Sequence, residues 1–246
     1  MKKITLQFLI ITFAIGYLSF GTLVLLNVGF GEILSEPLLL FLLGLGFLSP
    51  FISSVIVHIL HKDQLNGLAG LVDSLKPTMS PTPILMVLAL LATHYGLGII
   101  LGNIGLYGSL IDFLKYLPIV VVFLGLQEVG WRKIAQPYLE EIRGFYRSVV
   151  IIGLLWALWF LPLVLIKGFI ILPQFYTQFA GYLVGISFLL TTIYKVTQKI
   201  TYPLILSSLI FALVPVIVFK QGNMLLLIAL LEAILAGILH KKQFNT

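Results

Sequence analysis

About eight long apolar stretches, separated by short segments rich in charge, glycine or proline, organise this chain. They lie near residues 4–27, 37–60, 83–104, 111–128, 148–166, 179–194, 202–219 and 223–240. A helix needs roughly 20 apolar residues to cross a hydrocarbon layer of ~30 Å, and most of these runs are of that order. The runs are continuously apolar, whereas the strands of a lipid barrel would alternate apolar and polar over ~10 residues. The pattern therefore predicts an all-α polytopic transmembrane helical bundle of about eight spans. Gly, Asn or Thr blur the ends of the third, fourth and sixth.

Composition closes off the soluble alternative. Hydrophobic residues make up 60% of the chain and charged ones 10%. Nine acids and fifteen bases cannot form a polar shell around 246 residues. Charge also orients the bundle. With eight spans both termini share a side, and twelve of the fifteen bases then fall on that side. They are Lys2, Lys3, Lys62, Lys76, Arg132, Lys133, Arg143, Arg147, Lys195, Lys199, Lys241 and Lys242, leaving only Lys115, Lys167 and Lys220 opposite. The positive-inside rule makes the richer side cytoplasmic, N-in and C-in. The net charge of +6 is thus topological and implies no nucleic-acid partner. The first run is too long for a signal-peptide core and lacks a cleavage-type site, so it is read as an uncleaved first helix. The chain has no cysteine, which removes disulfides, thiol nucleophiles and iron–sulfur ligands.

One membrane domain covers residues 1–246, with no internal repeat strong enough for an inverted-repeat transporter. Two inside segments are longer than the rest. Residues 61–82 carry Gly67, Gly70, Pro77 and Pro81 and read as a turn-rich connection. Residues 129–147 carry charges at helical spacing beside Ile134, Tyr138, Leu139, Ile142 and Tyr146, a pattern for a helix partly in the membrane interface.

Ionisable groups inside a membrane are costly, which makes each a candidate for function. Two qualify, Glu128 and Glu232, with His94 and Asn103 as weaker polar candidates in the third span. Glu128 and Arg132 are i,i+4 neighbours if the fourth helix continues, and can pair. The pair reads either as a structural ion pair or as a water-activating carboxylate held by an arginine. Glu232, in an apolar last helix, would cost about 2.5–3.5 kcal/mol if bare. It should meet an interhelical partner such as Ser, Thr or Tyr, or line a binding cavity. His58 and His61 are three apart but lack a third ligand, so no metal and no cofactor are expected. Trp156, Trp159, Phe160 and Tyr182 read as packing or interface anchors.

The order of the segments adds a family. Gln127-Glu128-Val129-Gly130-Trp131-Arg132, followed by Pro137-Tyr138-Leu139, resembles the first motif of the CAAX protease and bacteriocin-processing (CPBP, or Abi) family of intramembrane endopeptidases. That motif reads Glu-Glu-x-x-x-Arg. Trp156-Ala157-Leu158-Trp159-Phe160-Leu161-Pro162 resembles the second motif, aromatic-x-x-x-His. The place of the third, His-x-x-x-Asn or Asp, is taken by the segment from Pro203 to Ala212. Gly46-Phe47-Leu48-Ser49-Pro50-Phe51 resembles the family's second-helix signature.

The departures from those motifs carry the functional expectation. Gln127 stands where the family has its first Glu, and Phe160 where it has a His. Ser208, or Ser207 one residue off, replaces the third-motif His, and Ala212 or Phe211 replaces the Asn. The resemblance implies that the Glu activates water and that the histidines and Asn hold water, a metal or an oxyanion. An amide has no accessible basic form near neutral pH, and phenylalanine neither ligates nor donates. Loss of one oxyanion donor typically costs about 10²–10³ in rate. The expectation is a pseudoenzyme that binds a membrane protein or peptide partner within the bilayer, as self-immunity proteins or regulatory scaffolds of the family do, in a bacterial plasma membrane. Two alternatives stay open. One is an active endopeptidase using Glu128 with Ser207 or Ser208 as donor. The other is a small-solute transporter component built on Glu232, His94 and Asn103.

Overall fold

The computed structural model describes residues 2–244 other than 79, 170 and 221, with side chains described up to residue 241. The side chain of Lys242, one of the bases counted above, lies outside that set. Helices dominate: α1 (Lys2–Leu25), α2 (Phe30–Ser35), α3 (Pro37–Leu60), α4 (Lys62–Leu65), α5 (Gly67–Ser74), α6 (Thr82–Ile100) and α7 (Leu110–Val120). They continue with α8 (Gln136–Arg143), α9 (Phe145–Val164), α10 (Tyr176–Thr197), α11 (Thr201–Ala212) and α12 (Met224–Phe244). Seven of the helical segments are long and apolar enough to cross a membrane. Leucines and isoleucines such as Leu18, Leu38, Leu85 and Ile100 stand out on the periphery, where lipid is the solvent that accepts them. The protein is an all-α polytopic membrane bundle.

Two of the eight expected spans are shortened by one event. The third ends at Ile100, and the seventh contains only the 12-residue α11. Both continue into a two-stranded antiparallel ribbon, β1 (Ile104–Leu106) and β2 (Ile217–Phe219), with Ile104 opposite Phe219. Pro215 explains the break after α11. It has no amide proton to donate and restricts Val214, so the helix closes in tight turns to the carbonyl of Leu213. Ile217, Val218 and Phe219 then favour a strand. Asn103, expected inside the third span, lies beyond α6, where its carbonyl and side chain meet the backbone of Lys220.

The fourth span is longer than expected. From Leu110 to Arg143 the chain is one helical segment of 34 residues. Its middle is widened into π-helical turns at Val121–Gly125 and Val129–Ala135, on either side of Gln127 and Glu128. Leu126 N–H reaches the carbonyl of Val121, and Gln136 N–H that of Trp131, each five residues back. Such wide turns insert extra residues into a helix and re-aim the side chains after them. Residues 127 to 132 are all buried, so neighbouring helices enclose this stretch on every side. The start of the expected interfacial segment is therefore inside the bundle, with Ile134 and Arg132 fully buried, and its exposed positions, such as Pro137, Ile142 and Tyr146, come later. Arg132 is not a loop charge.

Long-range contacts place the chain's ends together. Thr5 bonds to Ile134, His61 to Gln7, Ile200 to Ser74, and Tyr146 to Gly237. The start of α1, the α4–α5 connection, the α10–α11 turn and the end of α12 therefore share one end of the bundle. The ribbon and a backbone bridge between Gly29 and Lys167 mark the other. All three tryptophans are fully buried at the centre, with Phe8 against Trp131 and Phe20 against Trp159 in edge-on contact. Trp156 and Trp159 are thus core residues and not interface anchors.

Candidate functional site

The first-motif residues converge where the fourth helix widens. Arg132 Nε donates to Glu128 Oε2 at 2.8 Å, as the i,i+4 spacing predicts. Its Nη1 reaches across to α10 and donates to Ser187 Oγ at 2.8 Å and Thr191 Oγ1 at 3.2 Å. Every member of this cluster is buried. Glu128 Oε1 and Arg132 Nη2 have no hydrogen-bond partner among the described residues. The pair is thus charge-compensated but incompletely hydrogen-bonded, the condition in which removing either partner is most costly.

Gln127 is held at both ends of its amide. Nε2 donates to the Phe123 carbonyl at 2.7 Å, one turn back, and Oε1 accepts from Trp156 Nε1 at 3.1 Å. The tryptophan of the second-motif segment is therefore bonded to the residue that replaces the first-motif Glu. Trp159 Nε1 donates to Ser49 Oγ at 2.9 Å, which ties the same segment to the second-helix signature.

Phe160 sits in an aromatic enclosure. Its ring lies 4.9 Å from Trp159 and 5.5 Å from Phe179, both edge-on, with Phe47 and Trp156 each at 6.3 Å. It forms part of the wall of an apolar cavity of about 250 Å³, together with Phe179, Tyr182, Phe211, Val218 and Phe219. Of the third-motif positions, Phe211 joins that wall. Ser208 Oγ donates to its own helix at Leu204 O, 2.7 Å away, and Ser207 Oγ to the same carbonyl at 3.1 Å. Ala212 is fully buried and Phe211 packs edge-on to Trp156. Gly125 lets the fourth helix approach α11 closely: a Cβ there would stand 2.4 Å from Ser208 Oγ and oblige that hydroxyl to move.

A second polar cluster lies on α10 nearer the ribbon; the sequence reading names all three of its members but groups only Glu232 and His94, as part of a transport path, and takes Tyr182 for a packing residue. Glu232 Oε1 is 2.6 Å from His94 Nδ1, and His94 Nε2 is 2.9 Å from the Tyr182 hydroxyl. Side chains of α6, α10 and α12 thus meet over 138 residues of sequence separation. Glu232 is accordingly paired with a histidine, not with the Ser, Thr or Tyr expected. Gly185 makes room for it, since a Cβ there would lie 2.4 Å from Glu232 Oε2. The available signal was the isolation of His94 and Glu232 as ionisable groups within apolar crossing segments; Tyr182, on the more polar α10, carried none.

No group of three or more potential metal ligands occurs among the described residues. His58 Nδ1 bonds to Ser54 O, His61 Nε2 to Gln7 Oε1, and His240 stacks on Phe145. Of the residues grouped for a transport path, Asn103 lies just before the ribbon, bonded to Lys220, while His94 and Glu232 bond to each other.

A search of curated proteins finds no match to the chain. A family model, described as type II CAAX prenyl endopeptidase Rce1-like, matches residues 108–210. That interval contains Gln127, Glu128, Arg132, Phe160 and Ser208 and ends two residues before Ala212. It includes the widened fourth helix, all of α9 and α10 and most of α11. The resemblance in motif order and the match in sequence thus concern the same helices, and over residues 108–210 this chain is similar to the type II CAAX prenyl endopeptidases.

Proposed function

We propose that this protein keeps the frame of an intramembrane CAAX-type protease but has no peptidase activity, and that it acts by binding a membrane protein or peptide partner. The observation that carries the reading is the state of Gln127. Its amide bridges Phe123 O and Trp156 Nε1, so the position that would activate water serves as a structural brace. Phe160 supplies an aromatic ring where a ligand or proton donor would be needed, and both serine hydroxyls are turned to their own helix. A self-immunity or regulatory scaffold in a bacterial plasma membrane, with cytoplasmic termini, fits this reading and the charge distribution along the chain. The test is reconstitution with a family-type peptide substrate beside an intact homologue. No cleavage is expected, and the cellular phenotype should not depend on a Gln127→Glu, Phe160→His double change.

One observation favours a second reading. Glu128 Oε1 is buried at the motif without a hydrogen-bond partner among the described residues, as a carboxylate oxygen kept for a substrate water would be. In that case purified protein cleaves the peptide and Glu128→Ala abolishes cleavage. Arg132 counts against it, since its Nε already occupies the other carboxylate oxygen, Glu128 Oε2, at 2.8 Å.

A further inference from the structure

Two open grooves run along the outside of the bundle on either side of Tyr146, and no motif position lines them. One, of about 400 Å³, lies between Tyr146 and the α12 stripe Ala233, Ile234, Gly237, Ile238 and Lys241. These five residues share one helix face and span roughly 12 Å of rise, against a leaflet of ~15 Å. The other, of about 390 Å³, follows Arg143, Arg147, Val150 and Ile151 beside Tyr146. Tyr146 is the ridge between them. Its hydroxyl reaches Gly237 O at 3.4 Å, and a Cβ on Gly237 would stand 2.9 Å from that hydroxyl.

The basic residues of both grooves gather at one end, because α9 starts where α12 finishes. Gly144, with φ +74°, turns the chain from α8 into α9 and leaves Arg143 and Arg147 in one groove wall. Lys241 closes the same end of the α12 stripe. All three are exposed, and none forms an ion pair among the described residues. The acids closest in sequence do not compensate them. Glu140 is paired with Lys195, and Glu141 lines a different groove with Tyr194 and Lys195.

We propose that the two grooves hold the acyl chains of one anionic phospholipid, whose phosphate is bound by Arg143, Arg147 and Lys241. Paired apolar furrows along one ridge call for two hydrocarbon tails. Three uncompensated cations at their common end call for an anionic headgroup, as basic pockets between transmembrane helices do in general. Guanidinium groups suit a phosphate because each can donate two parallel hydrogen bonds. The site stands whether or not the protein cuts peptide bonds.

Native mass spectrometry of the full-length protein in neutral detergent tests this. Dioleoyl phosphatidylglycerol is titrated beside dioleoyl phosphatidylcholine, which has the same tails and no net charge. Saturable binding of one phosphatidylglycerol is expected, about a hundredfold tighter than phosphatidylcholine, since each basic residue near an anionic headgroup contributes a factor of about five. Arg143→Gln with Arg147→Gln should reduce that preference to about fivefold. Lys62→Gln with Lys76→Gln, outside both grooves, should leave it within about twofold. Ile234→Trp, which fills the groove beside Tyr146, should weaken both lipids alike. Glycerol 3-phosphate, a headgroup without tails, should not displace the lipid. Parity of the two lipids in the wild type overturns the proposal, as does equal weakening by the arginine and lysine pairs. Displacement by glycerol 3-phosphate overturns it too, since the site would then be one for free phosphate.

Discussion

Two buried polar clusters in this bundle solve the same problem in opposite ways. Glu128 and Arg132 are one helical turn apart, and their pairing needs little more than a continuous helix. Glu232 and His94 come from α12 and α6, and their pairing needs the whole bundle. The first cluster compensates charge locally and then borrows hydroxyls from α10, yet leaves an atom unpaired on each partner. The second joins three helices through Glu232, His94 and Tyr182, and it likewise leaves Glu232 Oε2 without a partner among the described residues. Local pairing braces one helix, while tertiary pairing ties three together.

The largest expected effect breaks the first cluster from one side. Arg132→Met should destabilise the protein by about 3–5 kcal/mol, because a buried carboxylate loses its counter-ion. Thermal unfolding in detergent would read it, and adding Glu128→Gln should recover part of the loss. A double variant no better than the single would mean that packing of the Arg132 stem, and not charge, is what matters.

His94→Leu tests the second cluster in the same assay. It leaves Glu232 with a single-sided desolvation cost of about 2.5–3.5 kcal/mol. Restoring neutrality with Glu232→Leu in the same chain should make the protein more stable than His94→Leu alone. Equal stabilities would show that the carboxyl is accommodated without the imidazole.

Gly185→Ala sharpens the comparison at the helix interface. The added methyl would meet Glu232 Oε2 at 2.4 Å and the Ala229 Cα at 2.6 Å, forcing α10 and α12 apart. Overpacking of this kind costs about 1–3 kcal/mol. The loss should fall if Glu232 is shortened to Ala in the same variant.

The smallest effect lies at the exposed end of the bundle, where charge is screened by water. A hydrogen bond from Lys76, with the charges of Lys199 and Lys76, holds the Asp73 carboxyl below its ordinary range. A depressed folded value means the contribution is present above the unfolded value of ~3.9 and is lost as pH falls through the lower folded value. Wild type should therefore lose slightly more stability than Asp73→Asn on acidification below about pH 4, and added salt should reduce the difference. Identical pH profiles would remove Asp73 from the account.

Fold class was readable in the one-dimensional pattern because lipid imposes a length and a composition on anything that crosses it. The runs ending near 104 and 219 were over-extended for a specific reason. Ile104-Gly105-Leu106 and Ile217-Val218-Phe219 are as apolar as a helix end, and only their pairing with each other made them a ribbon. Residue type also marked Gln127, Phe160 and Ser208 as departures from the family motifs they resemble. What Gln127 does instead was not, because its partner Trp156 lies 29 residues away on another helix.

Hydropathy, charge asymmetry and residue identity were enough to place this chain in a membrane and to show which acid–base groups a protease site would lack. They encode the solvent and the inventory, both of which are properties of single residues summed along the chain. The union of Glu232, His94 and Tyr182, the bracing of Gln127 and the existence of the cavity belong to helix packing alone. Each depends on relative rotation and separation of helices distant in sequence, to which a linear apolar pattern is blind.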